Sequence, residues 1–382
     1  MKKMIGLLLA LMLLFAFPVA LGETADLVAQ GEALTHDELV ELAKGETGTF
    51  VGYGNTSRIT TALEEFGALY DIPVEGNNLK DSEIYEKLSA ELSGSVKGAD
   101  VVMIQDGSSL KSEAMAFGYV VNFIPAAYKD SIAENDQNPL VQQYINKVFI
   151  WNNIGDEAPA ITNVWQLTVP EMKGHVIFKS PETEQVNMNF LAMVTNEYWS
   201  EKLAEAYAEC FGEEIVLDGF KNAGYKWVAE FLSNCTFINS DTTIAEEISQ
   251  ESASGKIGLF VLSKLRSSSV YTDNLTVGQY LAQETGEAIV PFSGFMYPMY
   301  AMVTSHATRP YTAMLFVEYL MGPEGFSPWG KSIGAYSGNA SLLPIEDDLP
   351  IEAWKETLVM EDPDFISENI DDVYTFVIKY IQ

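Results

Sequence analysis

The feature that most constrains the fold is an alternation of short apolar strands and amphipathic helices. Strands are predicted at Thr49–Tyr53, near Pro73–Glu75 and at Ala99–Ile104, and helices at Thr56–Asp71 and Asp81–Leu92 lie between them. The last of these strands carries a continuous apolar run, which is typical of a strand buried on both faces. This order predicts a parallel sheet with right-handed crossover helices, an α/β architecture.

A second alternation begins at Asn163–Pro181. In this segment Pro170 ends the short helix that holds Trp165, Gly174 supplies a turn and His175–Lys179 form a brief strand. The later predicted helices are Glu197–Cys210, Phe220–Leu232, Thr242–Ser254, Pro310–Met321 and two within Glu352–Val359 and Asp364–Ile381. The later predicted strands are Thr236–Ile238, Lys256–Val261, Ala288–Pro291 and Tyr297–Val303.

The length of 382 residues exceeds what one hydrophobic core usually supports, so two domains are expected. A capping box of Thr35 and Glu38 predicts one helix before the first strand. The expected divisions are a signal segment at 1–22, a linker and helix at 23–48, a first lobe at 49–152 with 292–340, a second lobe at 153–291, and C-terminal helices at 341–382 that are not assigned to either lobe.

The N-terminal segment predicts export. Lys2 and Lys3 precede the apolar run Met4–Phe17, and small residues at Ala20 and Gly22 match a signal-peptidase site. A retained membrane anchor is the alternative, because the apolar stretch is nearly long enough to span a bilayer. Both interpretations place the mature protein outside the cytoplasmic membrane, in the periplasm or at the cell surface.

The net charge limits the classes of partner that the protein can bind, and the two cysteines raise the question of a disulfide bond. The formal net charge is −32, which disfavours nucleic acid and anionic membrane surfaces as partners. Cys210 and Cys235 could form a disulfide in an exported protein, or they could be two buried free thiols. Their spacing matches neither a zinc knuckle nor a redox Cys-x-x-Cys motif.

Catalytic and cofactor motifs are scarce. No nucleophile elbow or metalloprotease motif accompanies the three histidines, His36, His175 and His306. Gly325–Ser332 satisfies the phosphate-loop pattern, but a predicted helix precedes it and Pro328 and Trp329 obstruct the loop. The sequence therefore predicts no catalytic residue, no metal site and no cofactor.

Four polar loops, each following a strand and opening a helix, are the candidate ligand-binding regions. Ligands in parallel α/β sheets bind beyond the carboxyl ends of the strands, where helix N-termini offer free N–H groups. Ordinary helix capping is the alternative for any single residue. The candidate residues in these loops are Tyr53, Asn55, Thr56, Ser57, Arg58, Asp106, Ser108, Glu182, Thr183 and Ser240.

Aromatic residues flank the expected crossings between the domains. Trp151 precedes the second domain, and Phe292 and Tyr297 follow it. An aromatic wall suits an organic ligand, although packing between domains explains the same pattern. Overall acidity, scarce arginine (Arg58, Arg266 and Arg309) and these aromatics favour a cationic or neutral organic solute.

Four segments carry a family resemblance. They are the strand and helix Thr49–Tyr70 leading to Tyr70-Asp-Ile-Pro-Val74, the strand Gly98-Ala-Asp-Val-Val102, the run Trp165-x-Leu167-x-x-Pro170-x-x-Lys173-Gly174 with Pro181, and Tyr311–Gly325. In this order the segments resemble the bacterial extracellular solute-binding proteins of ABC importers, in the branch that includes iron(III), polyamine and thiamine binders.

The resemblance implies two α/β lobes joined by crossing strands that close on a solute and dock on an ABC permease. It implies ligand contacts at Asn55, Thr56, Ser57, Asp106, Ser108, Glu182 and Thr183, and we expect a monomer. The chain lacks the adjacent tyrosines of iron-binding members, which argues against iron chelation of that kind. A secreted hydrolase, or a sensor or adhesin of the same fold, are the alternatives.

Overall fold

Strands and helices alternate along the described part of the chain, which comprises twelve strands and thirteen α-helices. This computed structural model describes residues 21–94, 97–154, 161–267, 274–277, 288–346 and 348–381. The predicted signal segment lies outside the described residues, except that its last two residues begin the first helix.

The strands are β1 Phe50–Gly54, β2 Val74–Asn78, β3 Val101–Ile104, β4 Val120–Val121, β5 Val141–Asn152, β6 Val176–Lys179, β7 Cys235–Ile238, β8 Ile257–Val261, β9 Leu275–Val277, β10 Gly294–Thr304, β11 Ala335–Ser337 and β12 Val359–Met360. The helices are α1 Leu21–Gly31, α2 His36–Lys44, α3 Arg58–Tyr70, α4 Asp81–Gly94, α5 Gly107–Ser109, α6 Gln185–Val194, α7 Glu197–Phe211, α8 Ala223–Asn234, α9 Asp241–Ile248, α10 Pro310–Met321, α11 Pro323–Gly330, α12 Ile351–Thr357 and α13 Pro363–Val377.

Two parallel half-sheets are joined by the two longest strands. Strands β2, β1 and β3 pair in parallel, and so do β7, β6 and β8. Between them β5 and β10 run antiparallel to each other. Strand β10 also pairs with β3 through Tyr300–Val303, and β5 pairs with β8 through Lys147–Trp151. Each lobe is therefore built on one half-sheet, and β5 and β10 cross between the two.

The first lobe folds as its sequence pattern predicts. The apolar positions Ile59, Leu63 and Phe66 of α3 are fully buried against the sheet. Phe66 packs edge-on against Phe316 of α10 at 5.1 Å between ring centroids. The predicted capping box at the start of α2 is also present. Periodic apolar residues and local capping thus suffice to place these helices.

The second lobe is organised around buried indoles. The predicted short helix at Trp165 is a 3-10 helix, Val164–Leu167. Its indole N–H donates to the Leu203 carbonyl at 2.8 Å, and the Trp227 indole donates to the Val164 carbonyl at 3.1 Å. Both rings are fully buried, and these two hydrogen bonds satisfy their indole N–H groups inside the core.

Several predicted elements differ from the structure. Two helices, α1 and α2, occupy the stretch where one was expected. The predicted strand Ala288–Pro291 is reduced to an isolated bridge between Asn163 and Val290. The two cysteines are free thiols and are half-buried, so of the two interpretations left open the structure has the free thiols, although not their full burial. Gly325–Ser332 lies largely within α11, a helix, which cannot form the phosphate-binding loop.

The largest difference is β5. The sequence predicts irregular chain up to Val148, whereas the strand begins at Val141 and all twelve of its residues are buried. Its first seven residues include the polar residues Gln142, Gln143, Asn146 and Lys147, each with no exposed surface. So many polar side chains are rarely buried in one strand, and a prediction that relies on apolar runs therefore misses the first part of β5.

The C-terminal helix α13 lies against both lobes, packing on α6 of the second lobe and on α5 of the first. Asn189 of α6 donates to Asp106 of the first lobe at 3.1 Å and to Glu361, just before α13, at 2.9 Å. Among the described residues, no helix has the length and apolar character that a membrane span requires.

Candidate functional site

A cleft of about 660 Å³ lies between the two lobes. Its walls come from the loops that follow β1, β2, β6 and β7, and its floor includes Ile145 of β5 and Tyr297 and Met299 of β10. The crossing strands therefore form the base of the cleft, and the loops at the carboxyl ends of the parallel strands form its sides. Ligands bind at this position in open α/β sheets.

The first-lobe wall is built on the start of α3. Asn55, Thr56, Ser57 and Arg58 all line the cleft. Ser57, the residue before α3, makes no side-chain cap, but the Thr56 hydroxyl accepts from the Arg58 N–H at 3.3 Å and so caps the first N–H of the helix. The Arg58 guanidinium donates to the Ser332 hydroxyl at 3.4 Å.

Asp81, the first residue of α4, is a second feature of this wall. Its carboxylate accepts hydrogen bonds from the Asn55 amide at 2.9 Å and from the backbone N–H of Asp106 at 3.1 Å. Burial, together with the neighbouring Asp106 carboxylate, raises the pKa of Asp81 to about 8. The cleft thus contains a carboxyl group that holds its proton at neutral pH.

The raised pKa of Asp81 predicts a pH-dependent stability. The folded protein keeps a proton that the unfolded chain loses near its ordinary pKa of 3.8, so the free energy of unfolding should fall as pH rises from about 4 to about 8. Asp81→Asn cannot ionise and should lose less stability over this range. Melting temperatures of both proteins at several pH values check this, with Glu86→Gln on the exposed face of α4 as control. Parallel curves for the native protein and Asp81→Asn would contradict it.

The second-lobe wall carries a cluster of two lysines and two carboxylates. Lys147 of β5 has no exposed surface and donates to Glu184 at 3.0 Å and to the Asn187 side chain at 2.8 Å. Lys179 of β6 pairs with Glu184 and, at 3.5 Å, with Asp241. Burial alone would raise the pKa of Glu184, but the two ammonium groups outweigh it and lower the pKa to about 2. Glu184 is therefore a fixed negative charge at the start of α6.

The structure brings together seven of the sequence-predicted residues on the cleft surface. They are Asn55, Thr56, Ser57, Arg58, Glu182, Thr183 and Tyr297. They come from both lobes and from the crossing strand β10. The loops after β1 and β6 thus face each other across the cleft, as their positions at strand ends suggest.

The other six predicted residues lie off the cleft wall. The Tyr53 hydroxyl donates to Glu91, and Ser240 caps α9 through the N–H of Thr243. Asp106 is 2 % exposed and caps α5 through the N–H of Ser109. The remaining three are buried, namely Ser108 at the start of α5, Trp151 near the end of β5 and Phe292 in an aromatic cluster with Phe190 and Trp227.

Sequence reasoning missed several residues of the cleft. Glu184 and Asp241 each follow a predicted loop residue by one position, so that loop placement could have found them. Trp329 was considered only as an obstruction in a phosphate-loop pattern. Lys147, which is fully buried and pairs with the cleft residue Glu184, gave no signal either, because nothing local in the sequence shows that the two meet.

Solved structures share this architecture at low sequence identity. Iron-bound HitA from Pseudomonas aeruginosa superposes with a TM-score of 0.64 at 13% identity, covering 87% of this chain and 99% of that chain. AfuA from Actinobacillus pleuropneumoniae, a periplasmic binding protein with bound fructose-6-phosphate, gives 0.61 at 17% identity, covering 88% and 98%. AgtB from A. tumefaciens R10 with agropinic acid gives 0.61 at 14% identity, covering 88% and 99%.

The chain has the two-lobed periplasmic binding protein fold. No protein-family model and no curated protein sequence matches it. In terms of this fold, β5 and β10 are the crossing strands, and the cleft whose floor they form is the interlobe cleft. Within the described residues, no group of three or more His, Cys, Asp or Glu side chains is placed to hold a metal ion.

Proposed function

We propose that this protein is the solute-binding receptor of an ABC importer, which captures a small solute between its lobes and delivers it to a membrane permease. The observation that carries the proposal is the polar cleft, whose two walls belong to different lobes joined by β5 and β10. A molecule bound there would contact both lobes at once, so its binding energy would favour the closed form.

The related structures support a binding role. HitA is bound to iron, AfuA to fructose-6-phosphate and AgtB to agropinic acid, so proteins of one fold hold chemically different solutes. The expected partners of this chain are accordingly a small solute and a permease, and we propose that it acts as an exported monomer.

The histidines do not support a secreted hydrolase. None of His36, His175 and His306 lines the cleft. His36 lies 2.6 Å from Glu318, and His306 lies 3.2 Å from Glu91, so two of them meet carboxylates elsewhere in the fold. A hydrolase that used histidine as its general base would need the imidazole within hydrogen-bonding reach of the bound substrate. The position of the three histidines therefore does not favour a hydrolase of that kind.

The lining suggests a polar solute. Arg58, Lys80, Lys179 and Lys264 share the cleft with five carboxyl groups, and Tyr297 and Trp329 are its aromatic members. A surface of mixed charge with few rings suits a compact solute that carries several hydrogen-bonding groups. The cationic or neutral solute expected from composition stays a prediction.

Binding is tested by blocking the cleft. Thr183 is exposed on the second-lobe wall, so tryptophan at this position should fill the cleft without disturbing the core. We expect the native protein to retain a solute in native mass spectrometry and to become more compact with it in small-angle scattering. Thr183→Trp should lose the retained solute.

Thr47→Trp, at an exposed loop position away from the cleft lining, is the matched control and should retain the solute. Retention by both variants would place the solute outside this cleft. A native protein that neither retains a solute nor changes compactness with any candidate from the growth medium would overturn the receptor proposal.

A further inference from the structure

A buried hydrogen-bond network joins the two lobes beside the crossing strands. Asn189 of α6 belongs to the second lobe, and its side-chain amide donates to Asp106 of the first lobe at 3.1 Å and to Glu361 at 2.9 Å. Asn189 and Asp106 are 1 and 2 % exposed. Glu361 follows β12, which pairs with β10, and its N–H donates to the Met296 carbonyl of that crossing strand at 3.2 Å. The three side chains therefore meet where both lobes and a crossing strand come together.

Two carboxyl groups share this single amide. Because one nitrogen donates to both, the accepting oxygens of Asp106 and Glu361 are at most about 6 Å apart. The Glu361 Oε2 has no exposed surface and accepts from no described residue. Burial, and after it the Asp106 carboxylate, raises the pKa of Glu361 well above 4.5, although the hydrogen bond from Asn189 opposes the change. The joined lobes thus favour the protonated form of Glu361.

The elements packed around Glu361 add no cation to this contact. Helix α6 carries no charged side chain. Lys111, which follows α5, pairs with Asp364 at the start of α13, and Lys147 of β5 pairs with Glu184. The carboxyl and phenol groups that face Glu361 are Asp81 and Tyr85 of α4, Asp106 before α5, and Tyr297 and Tyr300 of β10. Each of these groups disfavours a negative charge at Glu361 when it is itself ionised.

We propose that Asp106, Asn189 and Glu361 form a latch between the lobes that loosens as pH rises. When the lobes separate, Asp106 moves away from Asn189, and Glu361 loses the cover of one lobe and meets water. Its carboxyl then ionises near the ordinary pKa of 4.5, so that opening releases a proton. From about pH 4.5 up to the raised pKa of the latched form, each pH unit shifts the equilibrium towards the open form about tenfold.

The latch is connected to both walls of the cleft. On the first-lobe side, the Asp106 N–H donates at 3.1 Å to Asp81, which lines the cleft. On the second-lobe side, the Gln185 side chain lines the cleft and donates to Asn189 at 3.1 Å. A bound solute and the latch therefore favour the same closed arrangement, and the solute should be held less tightly in alkaline solution. This consequence rests on the proposed receptor function.

Small-angle X-ray scattering at about pH 6 and about pH 9 measures the opening. The protein is compared as purified and after refolding from guanidinium, which frees it of a retained solute. We expect the refolded native protein to be less compact at the higher pH. Glu361→Gln cannot ionise and should be equally compact at both. Glu368→Gln, on the exposed surface of α13, removes the same charge and should open as the native protein does.

Asn189→Ala removes the donor that both carboxyl groups share, so it should be open at both pH values. Asn369→Ala is its matched control, because the Asn369 amide donates within α13 to the Phe365 carbonyl at 2.8 Å. Circular dichroism confirms that each variant is folded. If Asn189→Ala does not fold, the comparison of Glu361→Gln with Glu368→Gln decides the matter. A native protein with the same compactness at both pH values, or a Glu361→Gln variant that opens as Glu368→Gln does, overturns the latch.

The latch and the receptor function can fail separately. A native protein that retains a solute, but whose refolded form is equally compact at both pH values, loses the latch and keeps the receptor. An opening with pH that Glu361→Gln abolishes, in a protein that retains no solute, keeps the latch and counts against the receptor.

Discussion

Lys147→Met is expected to lower the free energy of unfolding by about 3–5 kcal/mol, the cost of breaking a buried ion pair by removing one partner. The ammonium of Lys147 has no exposed surface and contacts Glu184 and Asn187. Its loss leaves Glu184 with only Lys179 as a cation, in a position where burial disfavours its charge. Because methionine fills a similar volume, the effect reports the lost charge and hydrogen bonds more than a cavity.

Urea denaturation of the native protein and the variant measures this difference. Lys202→Met is the matched control, since Lys202 pairs with Glu205 on an exposed helix surface, where water screens the ion pair and its loss should change stability little. The double variant Lys147→Met with Glu184→Gln should recover part of the loss, because no unpaired carboxylate remains. Equal losses at positions 147 and 202 would show that the cluster does not stabilise the fold.

Asp100→Ala should destabilise the first lobe by about 3 kcal/mol or more, since each buried donor left without an acceptor costs about 1–3 kcal/mol. Asp100 is fully buried in the segment before β3. Its carboxylate accepts from the backbone N–H groups of Val51, Thr308 and Arg309 at 3.0, 2.7 and 3.1 Å, and from the Thr308 hydroxyl at 3.0 Å. One side chain thus joins β1 to the chain that leads into α10.

Asp100→Asn keeps the shape of the side chain and one acceptor oxygen, so its free energy of unfolding should lie between those of the native protein and the alanine variant. Asp372→Ala, at an exposed carboxylate that pairs with Lys221, is the control and should change little. Chemical denaturation followed by tryptophan fluorescence measures all three. An alanine variant as stable as the asparagine variant would mean that the donors find other acceptors.

The elements that sequence reasoning predicted correctly are specified by short-range patterns. Helix α3 follows from apolar residues at helical spacing, and the start of α2 follows from a capping box four residues long. Strand β3 follows from an unbroken apolar run. In each case the information lies within one helix or one strand, so no tertiary partner needs to be known.

Strand β5 shows why the rest could not be predicted. The polar residues among its first seven residues are buried because other parts of the chain cover them, and Lys147 finds Glu184 across the second lobe. The same holds for Asp81, whose raised pKa depends on burial and on Asp106. The positions of the loops at strand ends were enough to predict the cleft. The protonation states of its carboxyl groups depend on contacts between residues far apart in the sequence, which the sequence alone does not show.

The pairing of β10 with β3 has a consequence for how the chain reaches this structure. The half-sheet of β1, β2 and β3 gains its fourth strand, β10, from a part of the chain that follows β6, β7 and β8 in the sequence. Pairings between residues far apart in sequence raise contact order, which slows folding among single-domain proteins. We therefore expect the pairing of β10 with β3 to slow folding, however strong its individual contacts are.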